Sequence, residues 1–456
     1  MATKTLAPGL LRATSPRKEL FEGIQTVGKA VATRSSLPIL THVRIAAKDG
    51  KVSMMATDLE MWMEHTLPGV GITEDGAATA PARNFTELLA AMPDADVSVT
   101  VEDETNTLHL RCLKANYKLL GLSADEFPLL PQVKEDSRFV MDRETLRDAI
   151  KQTIFATSTD ETRAILTGVL VVFQGDSLRL VATDTHRLAV RDCPVKEGTG
   201  SASAIVPSRA MNELLRIIGN EEGEVVVTLS GNQIQFQIEN GKADEKGDGS
   251  KTTLISRLID GQFPNYERVI PAQATKTLTV ERAPLAQAVK RASIVARDSA
   301  SRVVLRTTED GDRLTITAES GSVGNAYEEV EVAREGDDSP VEIAFNAKYL
   351  ADVLNVLDTE GLHIERAEPL RPDVIRPALA SAHAHAWAIM PSRSQRSSQP
   401  LAPSQRKTWP LIRRLFRSIP AMARISVSVS GSPVTAWRVA RYWGRLTEKG
   451  TGTWPR

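Results

Sequence analysis

The sequence predicts an α+β fold of three tandem domains, each with its helices on one face of antiparallel sheets. A chain of 456 residues is too long for one hydrophobic core and suits three domains of ordinary size. Whole motifs also recur along the chain at fixed spacings, which indicates repeated domains. Finally, short segments with helical apolar spacing are separated by runs of alternating apolar residues, which predict strands.

The repeat keeps one offset of 126 residues between its first two copies. Its matched pairs are Leu20 and Leu146, Ile24 and Ile150, Leu40-Thr41 and Leu166-Thr167, Thr57-Asp58 and Thr183-Asp184, and Glu87-Leu88-Leu89 and Glu213-Leu214-Leu215. A third copy follows at an offset of 139, where Leu285 and Asp352 match Leu146 and Glu213. A polar loop around residues 241–250 accounts for most of the larger offset.

These offsets set the predicted domain boundaries. We expect domains over residues 12–135, 136–273 and 274–393, with a leader over 1–11 and an extension over 394–456. Each domain should contain two helices backed by sheet. Tandem copies are often related by a rotation, and a rotation that closes produces a ring.

Composition excludes several classes of protein. Charged residues are 25% and hydrophobic residues 41%, as in ordinary globular domains. No apolar run is long enough to span a bilayer, and the N-terminus lacks a signal-peptide pattern, so we expect a cytoplasmic protein. Cys112 and Cys193 are too few for a disulfide framework or a zinc site. We therefore expect no metal and no cofactor.

The extension over residues 394–456 differs sharply in charge from the rest of the chain. It holds twelve Lys or Arg and one Glu, so the remainder carries a net charge of −12. It also holds four of the six tryptophans. An Arg/Trp-rich arm for DNA or anionic lipid is one interpretation. The other, which we favour, is a disordered and dispensable extension, with an out-of-frame C-terminus as one origin.

The stretch from Val181 to Val190 is the centre of the functional prediction. It should be a strand that turns at Asp184-Thr185, where Asp184 bonds its own backbone, and then resumes. An enzyme interpretation would use Asp184 with His186, or Asp58 with Glu60, as acid–base or metal groups. No phosphate loop, nucleophile elbow or metal-spaced His cluster accompanies them. We therefore predict no catalytic residues, with a nucleic-acid-processing enzyme as the weaker alternative.

A family resemblance rests on motifs from all three domains. They are Leu37-Pro38-Ile39-Leu40, Ala56-Thr57-Asp58-Leu59-Glu60-Met61, Pro81-Ala82-Arg83, Phe127-Pro128, the stretch Val181 to Val190, Phe263-Pro264-Asn265-Tyr266, Phe345-Asn346-Ala347-Lys348-Tyr349 and Ile389-Met390-Pro391. In order and spacing they resemble the bacterial sliding clamps, the beta subunits of DNA polymerase III, over about residues 12–393.

The resemblance implies a ring-forming DNA clamp fold and a function without catalysis. Clamps of this family are head-to-tail homodimers whose six domains encircle duplex DNA, with helices lining the hole. They tether the replicative DNA polymerase and are placed on DNA by a clamp loader. Other replication and repair proteins bind them through a short peptide motif. A monomeric peptide-binding scaffold that closes no ring is the alternative.

The resemblance also implies a groove for partner peptides, built from apolar side chains with a few polar anchors. The second-domain wall is Leu166, Thr183, Thr185, His186, Arg187 and Leu188. The linker side is Pro264, Arg268 and Val269. The third-domain wall is Asn346, Tyr349, Leu370, Pro372, Ala388, Ile389, Met390, Pro391, Ser392 and Arg393.

Two further sets of residues follow from the resemblance. Arg34, Arg83 and Arg163 are the DNA-binding candidates. Tyr117 and Leu119 on a first-domain edge strand would face Ile294 and Val295 of the other subunit at the dimer interface. Other cations on the predicted helices would act on phosphates without reading bases. They are Lys18, Lys29, Arg143, Arg147, Lys151, Arg209, Arg216, Lys290, Arg291 and Lys348.

Overall fold

The structure is a computed structural model that describes residues 11–67, 70–102, 106–240, 249–368, 371–378 and 385–391. All of them fall in one compact unit, Met1–Ser398. The predicted leader up to residue 10, the groove candidates Leu370, Ser392 and Arg393, and the extension over 394–456 lie outside the described residues. Leu11, which we assigned to the leader, is instead the buried first residue of a strand, because its side chain packs into the first-domain core.

The described residues form six helices, two in each repeat. They are α1 (Arg17–Val27), α2 (Ala82–Ala91), α3 (Arg143–Ile154), α4 (Ser208–Ile218), α5 (Arg282–Ala296) and α6 (Ala347–Val356). The helices of the second repeat begin 126 residues after those of the first, and those of the third begin 139 residues later again. Each buries one face. In α4, for example, Met211, Leu214 and Ile218 recur at helical spacing and are buried.

The strands are short and follow the same repeat. The first are β1 (Leu11–Pro16), β2 (His42–Lys48), β3 (Lys51–Thr57), β4 (Met61–Leu67), β5 (Gly71–Glu74), β6 (Gly76–Pro81), β7 (Asp96–Glu102), β8 (Thr107–Cys112) and β9 (Ala115–Leu120). The next are β10 (Ser137–Asp142), β11 (Gly168–Gln174), β12 (Ser177–Thr183), β13 (Arg187–Pro194), β14 (Glu197–Thr199), β15 (Ser201–Pro207), β16 (Glu224–Ser230), β17 (Gln233–Asn240) and β18 (Ser250–Arg257). The last are β19 (Lys276–Glu281), β20 (Arg302–Thr307), β21 (Arg313–Ser320), β22 (Gly324–Gly336), β23 (Glu342–Asn346), β24 (Gly361–Arg366), β25 (Asp373–Pro377) and β26 (His385–Ile389).

Antiparallel pairing joins these strands into sheets that cross the domain boundaries. One sheet has the order β5-β1-β7-β8-β9 and lies within the first repeat. The second has the order β14-β10-β16-β17-β18-β4-β3-β2-β6, so β18 and β4 join the first two repeats. The third has the order β15-β11-β12-β13-β26-β25-β24-β19-β22-β21-β20-β23, so β13 and β26 join the last two. The predicted α+β class with antiparallel sheets is confirmed.

Helices and loops cover opposite faces of the sheets. α1 packs on α2, α3 on α4 and α5 on α6, and the apolar side chains beneath them form the main core. Because successive strand residues point to opposite faces, the sheet that joins the last two repeats carries a second apolar cluster on its other face. That cluster contains Leu170, Val181, Leu188, Val190, Ile205, Val374, Ala386 and Ala388. Phe263, Tyr266 and Val269 of the interdomain linker pack against it.

A buried histidine lies at the boundary between the first two repeats. His65 of β4 stands opposite Thr252 of β18, and its Nδ1 lies 2.9 Å from the Thr252 hydroxyl. Burial lowers the pKa of His65 from 6.5 to about 4, because the charged imidazolium is poorly solvated there. The folded protein therefore holds this side chain neutral at physiological pH.

This burial predicts a loss of stability in mild acid. Since the folded-state pKa lies below the unfolded one, the contribution of His65 is complete above pH 6.5 and is lost as the pH falls toward 4. We expect the unsubstituted chain to lose about 2 kcal/mol from this source between about pH 7.5 and pH 5, and His65→Gln to lack that loss. Urea unfolding at both pH values measures it, with His186→Gln, at an exposed histidine, as the control. An unaltered pH dependence in His65→Gln would contradict the assignment.

Candidate functional site

The turn between β12 and β13 is built by the side chains of Thr183 and Asp184. The Thr183 hydroxyl donates to the Arg187 carbonyl at 2.7 Å and accepts from the Thr185 amide at 3.2 Å. Oδ1 of Asp184 accepts from the amides of His186 and Arg187 at 2.8 and 3.0 Å. Thr185 has a φ of 82°, a left-handed conformation that these bonds hold in place. The turn lies where the sequence predicts it.

The earlier copy of the motif makes the same turn between β3 and β4. The Thr57 hydroxyl donates to the Met61 carbonyl at 2.9 Å, and Oδ1 of Asp58 accepts from the amides of Glu60 and Met61 at 3.1 and 2.9 Å. Leu59 takes the left-handed conformation with a φ of 74°. The repeated Thr-Asp pair is therefore a repeated turn.

Arg187 connects this turn to the third repeat. Its guanidinium bonds Oδ2 of Asp184 at 3.0 Å and Oδ2 of Asp352, on α6, at 2.5 Å. It also lies 5.3 Å from the centre of the Phe155 ring and 4.6 Å from that of Tyr349. Only 9% of the Arg187 side chain is exposed. Four partners around a largely buried cation fix the position of the side chain.

His186 and Tyr349 form a rim beside Arg187. Their rings are stacked, with centroids 6.3 Å apart and planes 20° apart, and His186 is exposed. Burial raises the pKa of the Tyr349 phenol; Asp184 raises it further and Arg187 opposes them. The His186 carbonyl accepts from the Met390 amide at 2.9 Å, which ties the rim to the end of β26. Asn346 caps α6 nearby, accepting from the Lys348 amide at 2.9 Å.

The predicted groove residues separate into a buried floor and an accessible rim. The buried members are Leu166, Thr183, Leu188, Pro372, Ala388 and Ile389. The partly exposed members are Thr185, Arg187, Pro264, Val269, Asn346, Tyr349, Met390 and Pro391. The exposed members are His186 and Arg268. Leu188 is only 4% exposed, since it packs beneath the linker in the second apolar cluster. It belongs to the floor, and a partner would first meet the rim.

The three DNA-binding candidates differ in their surroundings. Arg34 is exposed in the segment before the 3₁₀ turn Pro38–Thr41. Arg83 is exposed at the start of α2, and its Nε bonds Oε1 of Glu87 at 2.9 Å. Arg163 is partly buried, with Nε 3.0 Å from Oδ2 of Asp160 and Nη1 3.5 Å from the Thr185 hydroxyl. Arg163 therefore adjoins the predicted groove, which the sequence did not indicate.

Several of the predicted helix cations are buried or are paired with carboxylates. Arg143 is buried, and it donates to the carbonyls of Glu224, at 3.5 Å, and Glu239, so it cannot face a phosphate. Arg147, Arg209, Arg216 and Arg291 are bonded to carboxylates. Lys29, Lys151, Lys290 and Lys348 are exposed and have no ion pair within the described part of the chain.

The predicted dimer residues also differ in how exposed their side chains are. Tyr117 and Leu119 on β9 and Val295 on α5 are half-buried and pack against the main core of their own subunit. Ile294 is 59% exposed. Two apolar side chains that the sequence did not single out, Leu120 at the end of β9 and Tyr327 on β22, are more exposed still. Strand alternation was the signal for Leu120, because it follows the inward-facing Leu119.

The described ranges were also compared with the requirements of a metal site and of a membrane span. They contain no group of three or more His, Cys, Asp or Glu side chains that could hold a metal ion. They also contain no helix long and apolar enough to cross a membrane. Cys112 and Cys193 are buried and unpaired, and burial raises the pKa of the Cys193 thiol to about 12.

Comparison with family models gives the same result in each third of the chain. The model of the DNA polymerase III beta subunit N-terminal domain matches residues 12–131. The model of the central domain matches residues 140–265, and that of the C-terminal domain matches residues 267–393.

Individual relatives agree with the family models. The beta sliding clamp of Staphylococcus aureus is 32% identical over 375 residues, which is 81% of this chain and 96% of the relative. That of Staphylococcus epidermidis is 30% identical over 375 residues, with the same shares covered. Among solved structures, the Bacillus subtilis DNA polymerase sliding clamp superposes with a TM-score of 0.77 at 30% identity, over 84% of this chain and 100% of that one. A Pseudomonas aeruginosa sliding clamp bound to griselimycin gives 0.76 at 29% identity, over 85% and 100%.

Proposed function

The chain belongs to the DNA polymerase III beta subunit family, and we propose which of its residues close the ring, contact DNA and bind partner peptides. It is a sliding clamp, which encircles duplex DNA and tethers the replicative polymerase to confer processivity. Its partners are DNA, polymerase and proteins with a short peptide motif. We infer that the chain is a binding protein of the cytoplasm and not an enzyme, in keeping with relatives that are named sliding clamps.

Strand pairing supports a specific ring seam. The repeats contain six three-stranded meanders: β2-β3-β4, β7-β8-β9, β11-β12-β13, β16-β17-β18, β20-β21-β22 and β24-β25-β26. The third strands of four of them already pair across domain boundaries, as β4 with β18 and β13 with β26. Among these third strands, β9 and the first part of β22 remain without a partner on one side within the described residues. Pairing β22 of one subunit with β9 of the next would complete the pattern head to tail.

The repeat also predicts the register of this seam. Trp62 pairs with Ile255, and the corresponding positions on β22 and β9 are Asn325 and Lys118. This register would place Tyr117 and Leu119 on the helix side, next to Ile294 and Val295. Lys118 and Tyr327 would be diagonal neighbours on the other side. The β22 edge carries Glu328, Glu329 and Glu331 and the β9 segment carries Lys114 and Lys118, so the charges are complementary.

DNA contact is proposed for the cations that repeat on exposed helix positions. Lys151 on α3 and Lys290 on α5 are separated by the 139-residue offset. Arg83, Arg209 and Lys348 occupy the same early position in α2, α4 and α6. Together with Arg34 and Arg163 they would supply a weak positive surface around the hole. Since the ring holds DNA by enclosing it, such charge need not read bases.

The salt dependence of binding to linear duplex tests this surface. Each phosphate contact contributes a slope of about −0.9 to log K against log salt, so Lys151→Gln with Lys290→Gln should reduce the slope of a dimer by up to about 3.6. Fluorescence anisotropy across a salt series measures it. Lys51→Gln with Lys134→Gln, at exposed positions away from the helices, is the matched control. Equal slopes in both variants would contradict the proposed surface.

Whether the protein holds DNA by enclosing it provides a separate test of the clamp function. A clamp should remain on nicked circular DNA in high salt and dissociate once the circle is cut, because only enclosure survives charge screening. Retention by gel filtration after loading by the clamp loader measures it. Equal retention on circles and linear DNA would indicate surface binding and would favour the monomeric scaffold.

The groove at the junction of the second and third repeats is proposed as the partner site. Its second apolar cluster, with Val269 and Met390 accessible at the rim, suits a peptide that presents Leu and Phe. Burying one such side chain stabilises a complex by about 1.5–3 kcal/mol. The polar rim of Thr185, His186 and Tyr349 would orient the peptide backbone.

A further inference from the structure

The two domain junctions of the chain are structural copies of each other. At the second junction the Met390 amide donates to the His186 carbonyl at 2.9 Å. At the first, the Arg257 amide donates to the Glu60 carbonyl, also at 2.9 Å. Both junctions join a Thr-Asp turn to the last strand of a meander. The fold therefore offers two equivalent places for a peptide groove, and the backbone alone does not distinguish them.

Side chains at matching positions do distinguish them. Arg187 corresponds to Met61, and the 139-residue offset makes Tyr349 correspond to Ala210 and Asp352 to Glu213. The first junction thus has no cation at the position of Arg187 and no phenol at that of Tyr349. Its carboxylate Glu213 pairs with Arg216 on its own helix at 2.8 Å, within one turn.

At the second junction the carboxylate reaches across the boundary instead. Asp352 lies three residues after Tyr349 on α6, so the two side chains share a face of the helix. Its Oδ2 is 2.5 Å from Nη1 of Arg187, whose guanidinium lies over the Tyr349 ring. The Tyr349 ring in turn stacks on His186. One carboxylate from the third repeat therefore fixes a chain of three second-junction side chains, which ends at the exposed rim.

We propose that Asp352 is a positioning residue that makes this junction, and not its copy, the peptide site. It holds Arg187 between Phe155 and Tyr349. Arg187 in turn fixes the position of the Tyr349 ring, on which the His186 ring stacks. This inference rests on the proposed groove. Asp352 acts through Arg187, so its effect should appear in peptide affinity while ring formation and folding are unchanged.

Three substitutions test the role. Asp352→Asn keeps the shape and removes the charge, whereas Asp352→Glu restores it. Glu213→Gln is the matched control at the equivalent helix position of the first junction. The probe is a labelled synthetic peptide with Gln followed by Leu and Phe. We expect Asp352→Asn to weaken its binding about tenfold, the size of a typical coupling between neighbouring residues. Asp352→Glu should recover most of the affinity, and Glu213→Gln should bind like the unsubstituted chain.

A double-mutant cycle separates positioning from a general structural role. If Asp352 acts through Arg187, Asp352→Asn should cost little more affinity once Arg187→Ala is present. Full additivity would overturn the inference. So would an Asp352→Asn variant that binds normally, or one whose thermal unfolding and retention on nicked circles fall as much as its affinity. If the unsubstituted chain fails to bind the peptide, the groove proposal itself is wrong. If the unsubstituted chain binds and Asp352→Asn binds equally well, the groove proposal stands and only this inference is wrong.

Discussion

Ile294→Lys with Tyr327→Lys will convert the dimeric ring into monomers. Both side chains are largely exposed in the isolated subunit, at 59% and 64%, so lysine can be placed there without disturbing the fold. In the proposed seam Tyr327 stands opposite Asn116 and is a diagonal neighbour of Lys118, so the substitution brings two cations close together. Interface hot spots cost about 2 kcal/mol each, so each seam should weaken by about 4 kcal/mol, close to a thousandfold.

Sedimentation velocity over a range of concentrations measures the loss of the dimer, and retention on nicked circular DNA measures the loss of function. Leu129→Lys is the matched control, since Leu129 is 69% exposed in the first-domain linker, away from both seam strands. A variant that stays dimeric at nanomolar concentration would show that another surface closes the ring. A monomer that still binds the peptide would show that the groove is complete within one subunit.

Val269→Asp will abolish peptide binding and leave the ring intact. Val269 is partly exposed in the linker and packs on the second apolar cluster, so a carboxylate there would be desolvated by an apolar ligand without a partner. Losing that contact and burying the charge should cost at least about 3 kcal/mol, or roughly a hundredfold in affinity. Leu188→Asp would be a poorer test, because a charge at this buried position would also destabilise the sheet.

Val133 provides the control for this prediction. It occupies the matching place in the first linker, 136 residues earlier, and is exposed to a similar degree. Val133→Asp should bind the labelled peptide normally and support polymerase stimulation, whereas Val269→Asp should do neither. Equal losses in the two variants would mean that the peptide uses both junctions or that aspartate disrupts both linkers, and the groove assignment would be wrong.

The repeat explains how much of the fold the sequence could predict. A helix or turn depends mainly on the residues within it, so a motif copied at a fixed offset produces a copied element. The helices accordingly begin at the predicted offsets, and Thr57-Asp58 and Thr183-Asp184 form matching turns. Strand order across the domain boundaries could not be read in this way, because pairing between β13 and β26 joins residues about two hundred apart.

By itself, the sequence determined the family, the three-repeat α+β architecture and the position of the central turn, because each depends on local pattern or matched motifs. Only the tertiary structure decided which candidates are accessible. Leu188 lies under the linker and Arg143 against the ends of β16 and β17, although the sequence predicts a contact with peptide or DNA for each. It alone brought Asp352 to Arg187 across a domain boundary. Burial and long-range pairing depend on what the rest of the chain packs against each residue, and no spacing within one segment encodes that.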